Sequence, residues 1–307
     1  MYHRLTMGFL IVAIGIVGYF LIADTKSDVE IESASFTAAT STDIDMFIND
    51  WHNTESQKLF GTLDLHNLLI RCEGDPILPR LKGAVLTDIN AVSYAYLDAQ
   101  TSTEMSRLVD IQLIFYIVSG EGTIVTDTED AELREGIGVL MPPGIKFTIS
   151  NIGDEKLIMY VIEEPIPDGF TPKKNMVVKN EYDNPISTSL RRVSDSDNWL
   201  FSPSDGLSTI IGINPIMWEP RSVYPPHVHG PGDEEIWITV KGEMFVSLGR
   251  VRRSLPAGSV YKVPPDSRTP HVNINPGDVS QKVLWLMKVP LRRVPAGQRR
   301  RSSDGVI

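Results

Sequence analysis

The stretches PPHVHGPGDEEIW (residues 225–237) and PPDSRTPHVNIN (264–275) decide how this chain reads. Between them they hold His227, His229, Glu235 and His271, half of the chain's six histidines and a carboxylate. In an extended strand, residues two apart face the same way, so His227 and His229 can present two imidazoles to one point. The Gly230-Pro-Gly-Asp233 break interrupts that parity, and alternation alone leaves Glu234 and Glu235 both open. Three imidazoles and a carboxylate without a cation would be costly to gather in a core, so the pattern points to a metal site.

Outward from this site the chain divides into two series of short alternating or apolar runs punctuated by Gly, Pro and Asp, the pattern of all-β barrels. The series repeat each other. Ser119-Gly-Glu-Gly122 matches Lys241-Gly-Glu-Met244, Gly136 matches Gly258, and Pro142-Pro143 matches Pro264-Pro265. Asn151-Ile-Gly-Asp154 matches Asn275-Pro-Gly-Asp278. Lys156 to Pro165 and Lys282 to Pro290 close the two units with similar strands.

The second repeat resembles the cupin superfamily, whose motifs run G-x5-H-x-H-x(3,4)-E-x6-G and G-x5-P-x-G-x2-H-x3-N. Glu235 lies seven residues before Gly242, Gly258 six before Pro264, and His271 four before Asn275. The chain departs from the motifs by one extra residue after His229 and two before His271. Arg221 and Asp266 also stand where the motifs have glycines. The forward spacing to Gly242 favours Glu235 over Glu234. The resemblance implies an all-β chain of two double-stranded β-helix (cupin) barrels, a bicupin. It further implies one divalent transition metal (Mn, Fe, Ni, Cu or Zn) held by His227, His229, Glu235 and His271.

In the first repeat Phe147 replaces the ligand histidine, Leu113 replaces Glu235, and Glu104 to Leu108 has no histidine. That barrel is expected to be degenerate and filled by Leu113, Phe115, Ile117, Phe147 and Ile149. The second is expected to be polar and hollow. Its face carries Glu235, Trp237 and Thr239, then His271, Asn273 and Asn275. Trp237, Asn273, Asn275 and Arg268 are candidate substrate-binding residues, Trp237 reading equally as core. Glu235, Glu234 and Tyr261 are candidate catalytic groups, with Tyr224 and Lys262 as further proton-transfer candidates and Arg221 as a second carboxylate clamp. The expected function is metal-dependent Lewis-acid chemistry (isomerase, lyase or hydrolase type) on a small oxygenated metabolite, sugar-like or a keto/hydroxy acid. The alternatives are a cupin dioxygenase or decarboxylase, or a non-catalytic metal-containing ligand-binding protein.

At 307 residues the chain can bury one large core or two of ordinary size. A formal net charge of −10 offers no basic face, so no nucleic-acid partner is expected. Cys72 is the single cysteine, which excludes an intramolecular disulfide and a thiolate metal cluster, and it reads as a small buried apolar residue. Met7 to Ala23 is an uncharged apolar run following Arg4, long enough at about 25 Å to serve as an uncleaved membrane anchor and longer than a usual export signal. Either reading puts the folded part outside the cytoplasm, in the periplasm of a bacterium. The expected organisation is an anchor or signal segment with a hydrophobic helix (1–28), a linker (29–45) and a degenerate barrel (46–165). An interdomain connection (166–200), the metal-binding barrel (201–290) and a basic tail (291–307) follow. A homodimer is compatible with this layout.

Overall fold

The computed structural model describes residues 42–184, 195–197 and 199–290. The expected anchor helix and the basic tail lie outside the described residues. Among those described, no helix is long and apolar enough to cross a membrane.

The first half of the chain forms β1 (Ile48–Asp50), β2 (Ser56–Leu59), β3 (Leu63–Arg71), β4 (Ala84–Leu86), β5 (Ala91–Leu97), β6 (Ile111–Ser119), β7 (Gly122–Thr126), β8 (Asp130–Leu133), β9 (Ile137–Met141), β10 (Phe147–Asn151) and β11 (Leu157–Pro165). The second half forms β12 (Val177–Asn180), β13 (Asp195–Asp197), β14 (Ile210–Trp218), β15 (Glu234–Lys241), β16 (Glu243–Leu248), β17 (Val251–Pro256), β18 (Ser259–Lys262), β19 (His271–Ile274) and β20 (Gln281–Lys288). One barrel combines the sheet β12-β9-β6-β11-β5-β3-β2 with β10-β7-β8, and the other combines β1-β18-β15-β20-β14-β13 with β17-β16-β19.

Three apolar cores follow from strand alternation. Leu113, Phe115, Ile117, Phe147 and Ile149 turn into the first barrel, as the sequence predicts. Trp218, Trp237, Tyr261 and Trp285 turn into the second. The intervening residues, Ile114 and Tyr116 on β6 and Ile236 and Ile238 on β15, pack together in a seam between the barrels. Both faces of β6 and β15 are therefore covered, and β6 (IQLIFYIVS) accordingly reads as a nearly continuous apolar run.

The expected barrel limits are exchanged at their N-terminal ends. β1 precedes the first barrel but pairs with β18 of the second, Ile48 opposite Tyr261 and Asp50 opposite Ser259. β12 precedes the second barrel but pairs with β9 of the first. The interdomain span 166–200 thus contributes β12 to the first barrel, and Ile44, within the expected linker, is buried in the second barrel's core. Glycines accommodate both arms. A Cβ at Gly258 (φ +97) would meet Trp51 at 2.4 Å, and one at Gly136 (φ +84) would meet Tyr182 at 2.7 Å. Any larger residue would push the arm off the barrel.

Candidate metal centre

Alternation along β15 separates the two adjacent glutamates. Glu235 shares the inward face with Trp237 and Thr239, whereas Glu234 shares the seam face with Ile236 and Ile238. His227 and His229 lie not on a regular strand but on an extended segment that is tied to β19 by isolated bridges, Val223 opposite Ile274 and His227 opposite His271. Gly230 and Asp233 turn that segment back onto β15, with Gly230 N–H donating to Asp233 Oδ2 at 3.1 Å. The structure thereby converges all four predicted ligands, with one donor atom from each lying within 4.8 Å of the others.

Glu235 Oε2 is the common point. It lies 2.7 Å from His229 Nε2, 2.9 Å from His271 Nε2 and 3.9 Å from His227 Nε2. The 2.7 Å approach lacks the alignment of a hydrogen bond, as expected of lone pairs aimed at a shared position rather than at each other. The opposite ring nitrogens are engaged by acceptors. His227 Nδ1 lies 3.1 Å from Pro225 O, His229 Nδ1 3.4 Å from Asp233 Oδ2, and His271 Nδ1 3.2 Å from Tyr261 Oη. Placing the proton on each Nδ1 leaves each Nε2 lone pair free, the tautomer that ligation requires.

The electrostatics suit a cation. Burial alone would raise the Glu235 carboxyl, but the imidazoles of His229 and His271 held against it outweigh burial and keep it well below the usual carboxylate range. Burial lowers His227, assisted by the neighbouring His271. At His229 burial is overcome by Glu235 and Asp233, which raise it. His271 and Glu235 are almost fully enclosed and His229 is buried, while the His227 side chain is 36% exposed, so the site opens on the His227 side.

Several predicted roles are corrected. Glu234 is not at the site: its carboxylate accepts the backbone N–H groups of Thr87, Asp88 and Ile89 from the other barrel at 2.5, 3.1 and 3.0 Å. Lys262 faces the same seam and donates to Val85 O at 2.7 Å. Tyr261 is completely buried beside His271 and donates to Asn273 Oδ1, so it orients the His271 ring, and burial pushes its hydroxyl well above the usual tyrosine range. Asn275 does not face a ligand space, because its amide donates to the carbonyls of Trp218, Glu219 and Val279 and its oxygen accepts from Gly277. Asn151 makes the equivalent bonds in the first repeat, to Leu97, Asp98, Glu155 and Gly153. Arg268 is exposed on the turn closed by Asp266, and Arg221 is exposed at φ +61 and pairs with Asp278. Cys72 is only half buried, with its thiol against Gly74 O.

The second barrel is not a hollow polar chamber either. Its wall beside the ligands is aromatic: Trp237 lies 5.7 Å from Trp218 and 6.3 Å from His271, and Tyr224 covers His227 at 5.3 Å. Tyr224 is thus a wall residue. Sequence reasoning missed Trp285, whose indole donates to Glu235 Oε1 at 2.7 Å. Its only signal was its place in the closing strand, opposite Trp237.

A cupin domain model matches residues 111–163, which lie in the first repeat. No curated protein matches the sequence. Among solved structures, a putative glyoxylate-induced protein from Pseudomonas aeruginosa is 14% identical, with TM-score 0.62 over 79% of this chain and 87% of that one. Oxalate decarboxylase from Bacillus subtilis, solved as a tryptophan variant, is 12% identical, with TM-score 0.58 over 79% and 77%. Vicilin from hazelnut, Corylus avellana, is 14% identical, with TM-score 0.60 over 79% and 85%. The chain therefore has the cupin fold.

Proposed function

We propose that the second barrel is the active site of a metal-dependent cupin enzyme acting on a small oxygenated metabolite, sugar-like or a keto/hydroxy acid. The first barrel is then its degenerate structural partner. One observation carries this reading. Of nine buried side-chain nitrogen or oxygen atoms without a hydrogen-bond partner among the described residues, eight belong to the second repeat and one to the first. His229 Nε2 and Glu235 Oε2 are two of them, as a cation site requires; Trp237 Nε1, Thr239 Oγ1 and Asn273 Nδ2 lie on the same inward-facing strands. A buried polar group left unpaired costs about 1–3 kcal/mol, and the matching positions of the first repeat, Phe115, Ile117 and Ile149, are apolar. Retaining unmet donors only in the metal barrel supports a ligand that brings oxygen acceptors.

The donor set of three imidazoles and one carboxylate suits Mn, Fe, Ni, Cu or Zn. When bound, such an ion polarises a substrate oxygen. The chain's own residues position the reaction: Tyr261 and Asp233 fix the imidazoles, Trp237 and Tyr224 wall off water, and Asn273 and Trp237 offer donors. Isomerase, lyase or hydrolase chemistry fits a site whose polar groups all bind or orient. A cupin dioxygenase or decarboxylase is the second reading, favoured by a donor set that equally accepts Fe or Mn. We also propose export of the folded part, with Met7 to Ala23 as anchor. Turnover of a panel of hydroxy and keto acids and sugars, measured without oxygen on each metal-loaded form, tests the main reading. Turnover restricted to iron or manganese with oxygen present would refute it in favour of the second.

A further inference from the structure

The carboxylate of Glu235 is divided between two neighbours. All three imidazole Nε2 atoms approach Oε2, at 2.7, 2.9 and 3.9 Å, while Oε1 accepts the indole N–H of Trp285 at 2.7 Å. The contact is buried, with Glu235 2% and Trp285 6% exposed. It is also built into the sheet. In the β15–β20 register Glu235 faces Met287 and Trp237 faces Trp285, so the indole reaches the carboxylate along the cross-strand diagonal. A further ring steadies it: Trp199 meets Trp285 edge-on at 6.2 Å and occupies the space that a Cβ on Gly212 would enter at 2.1 Å. In the first repeat the position matching Trp285 is Val161, opposite Phe115, and the position matching Glu235 is Leu113. The tryptophan thus accompanies the carboxylate and is absent where the carboxylate is absent.

A carboxylate can ligate a cation through one oxygen or both. An N–H donor on one oxygen engages that oxygen and weakens it as a second ligand atom. We propose that Trp285 is a positioning residue that restricts Glu235 to single-oxygen ligation, keeping open a coordination position that a chelating carboxylate would fill. This rests on the metal-site reading above. For a six-coordinate ion the four protein ligands then leave about two positions for water or substrate.

Water-proton relaxation of the full chain loaded with Mn(II) counts those positions directly. The wild type is expected to show about two inner-sphere waters, and Trp285→Phe about one, with its inner-sphere relaxivity roughly halved. Trp285→His, which returns a ring N–H, is expected to recover most of the wild-type value. A wild type with a single inner-sphere water overturns the proposal without any variant. So does Trp285→Phe with full Mn(II) loading and unchanged relaxivity, or a tenfold or greater loss of Mn(II) affinity in that variant, since the indole would then support ligation itself. A wild type that takes up no Mn(II), Fe(II) or Zn(II) overturns the metal-site reading along with it, so the two failures are distinguishable.

Discussion

Removing the Glu234 carboxylate tests whether the two adjacent glutamates have the separate roles that strand parity gives them. Glu234 is fully buried and accepts three backbone N–H groups, from Thr87, Asp88 and Ile89, across the seam between the barrels. In Glu234→Ala those three donors lose their acceptor in a region that water does not reach, and each unmet donor costs about 1–3 kcal/mol. The variant also relieves the burial of a carboxylate, which offsets part of the loss. The expected net destabilisation is about 3–5 kcal/mol, in the range found when one partner of a buried charged contact is removed. For a chain of this size that corresponds to a drop in Tm of roughly 6–20 °C. Urea denaturation with an unchanged m-value measures the stability, and calorimetric titration of the folded variant with Zn(II) measures the site. Zn(II) affinity is expected to stay within about twofold, because Glu234 faces away from the ligands. A destabilisation below about 1 kcal/mol, or a large loss of Zn(II) affinity in a stable variant, would refute the parity assignment.

The first barrel and the buried Lys282 each carry a further expectation. Phe147→His places an imidazole in the first barrel, but Leu113 remains in that interior and Glu104 to Leu108 supplies no histidine, so metal analysis should find no second ion per chain. Lys282 tests pH dependence: burial would lower it, but Glu181 at 2.6 Å, Tyr182 and Glu135 outweigh that and raise it far above the usual lysine range. A raised folded-state value stabilises fully below the unfolded pKa of about 10.4 and is lost as pH rises toward the folded value. Lys282→Met should therefore be less stable than wild type by about 3 kcal/mol at pH 7, and urea titration at pH 11 should show a narrower difference.

The repeat and the motif spacings made the two barrels and the cluster of His227, His229, Glu235 and His271 legible, because both depend on short-range patterning that survives in one sequence. Glu234 and Asn275 were misplaced at the site, although the sequence holds a signal against each. Alternation from Trp237 back along an unbroken strand already puts Glu234 on the face opposite Glu235. Asn275 has a counterpart, Asn151, in the repeat that lacks ligands, so the asparagine serves the turn in both units. Asn273, by contrast, corresponds to Ile149, and it is the one with an unmet donor in the barrel. The exchange of β1 and β12 was not legible, since short strands carry little pattern and their partners lie more than a hundred residues away or across the seam. Trp285 was hidden for a related reason: its bond to Glu235 depends on the register between β15 and β20, which hydrophobic pattern does not specify when both faces are buried.

Metal analysis of the purified chain beside His271→Ala and His66→Ala decides whether His227, His229, Glu235 and His271 hold an ion. His271 is completely buried with Nε2 2.9 Å from Glu235, whereas His66 lies in the first repeat near Thr54 and Tyr94. About one ion per chain is expected in the wild type and in His66→Ala, and a loss of roughly tenfold or more in affinity in a folded His271→Ala. Stoichiometric metal of unchanged affinity in His271→Ala would contradict that ligand set.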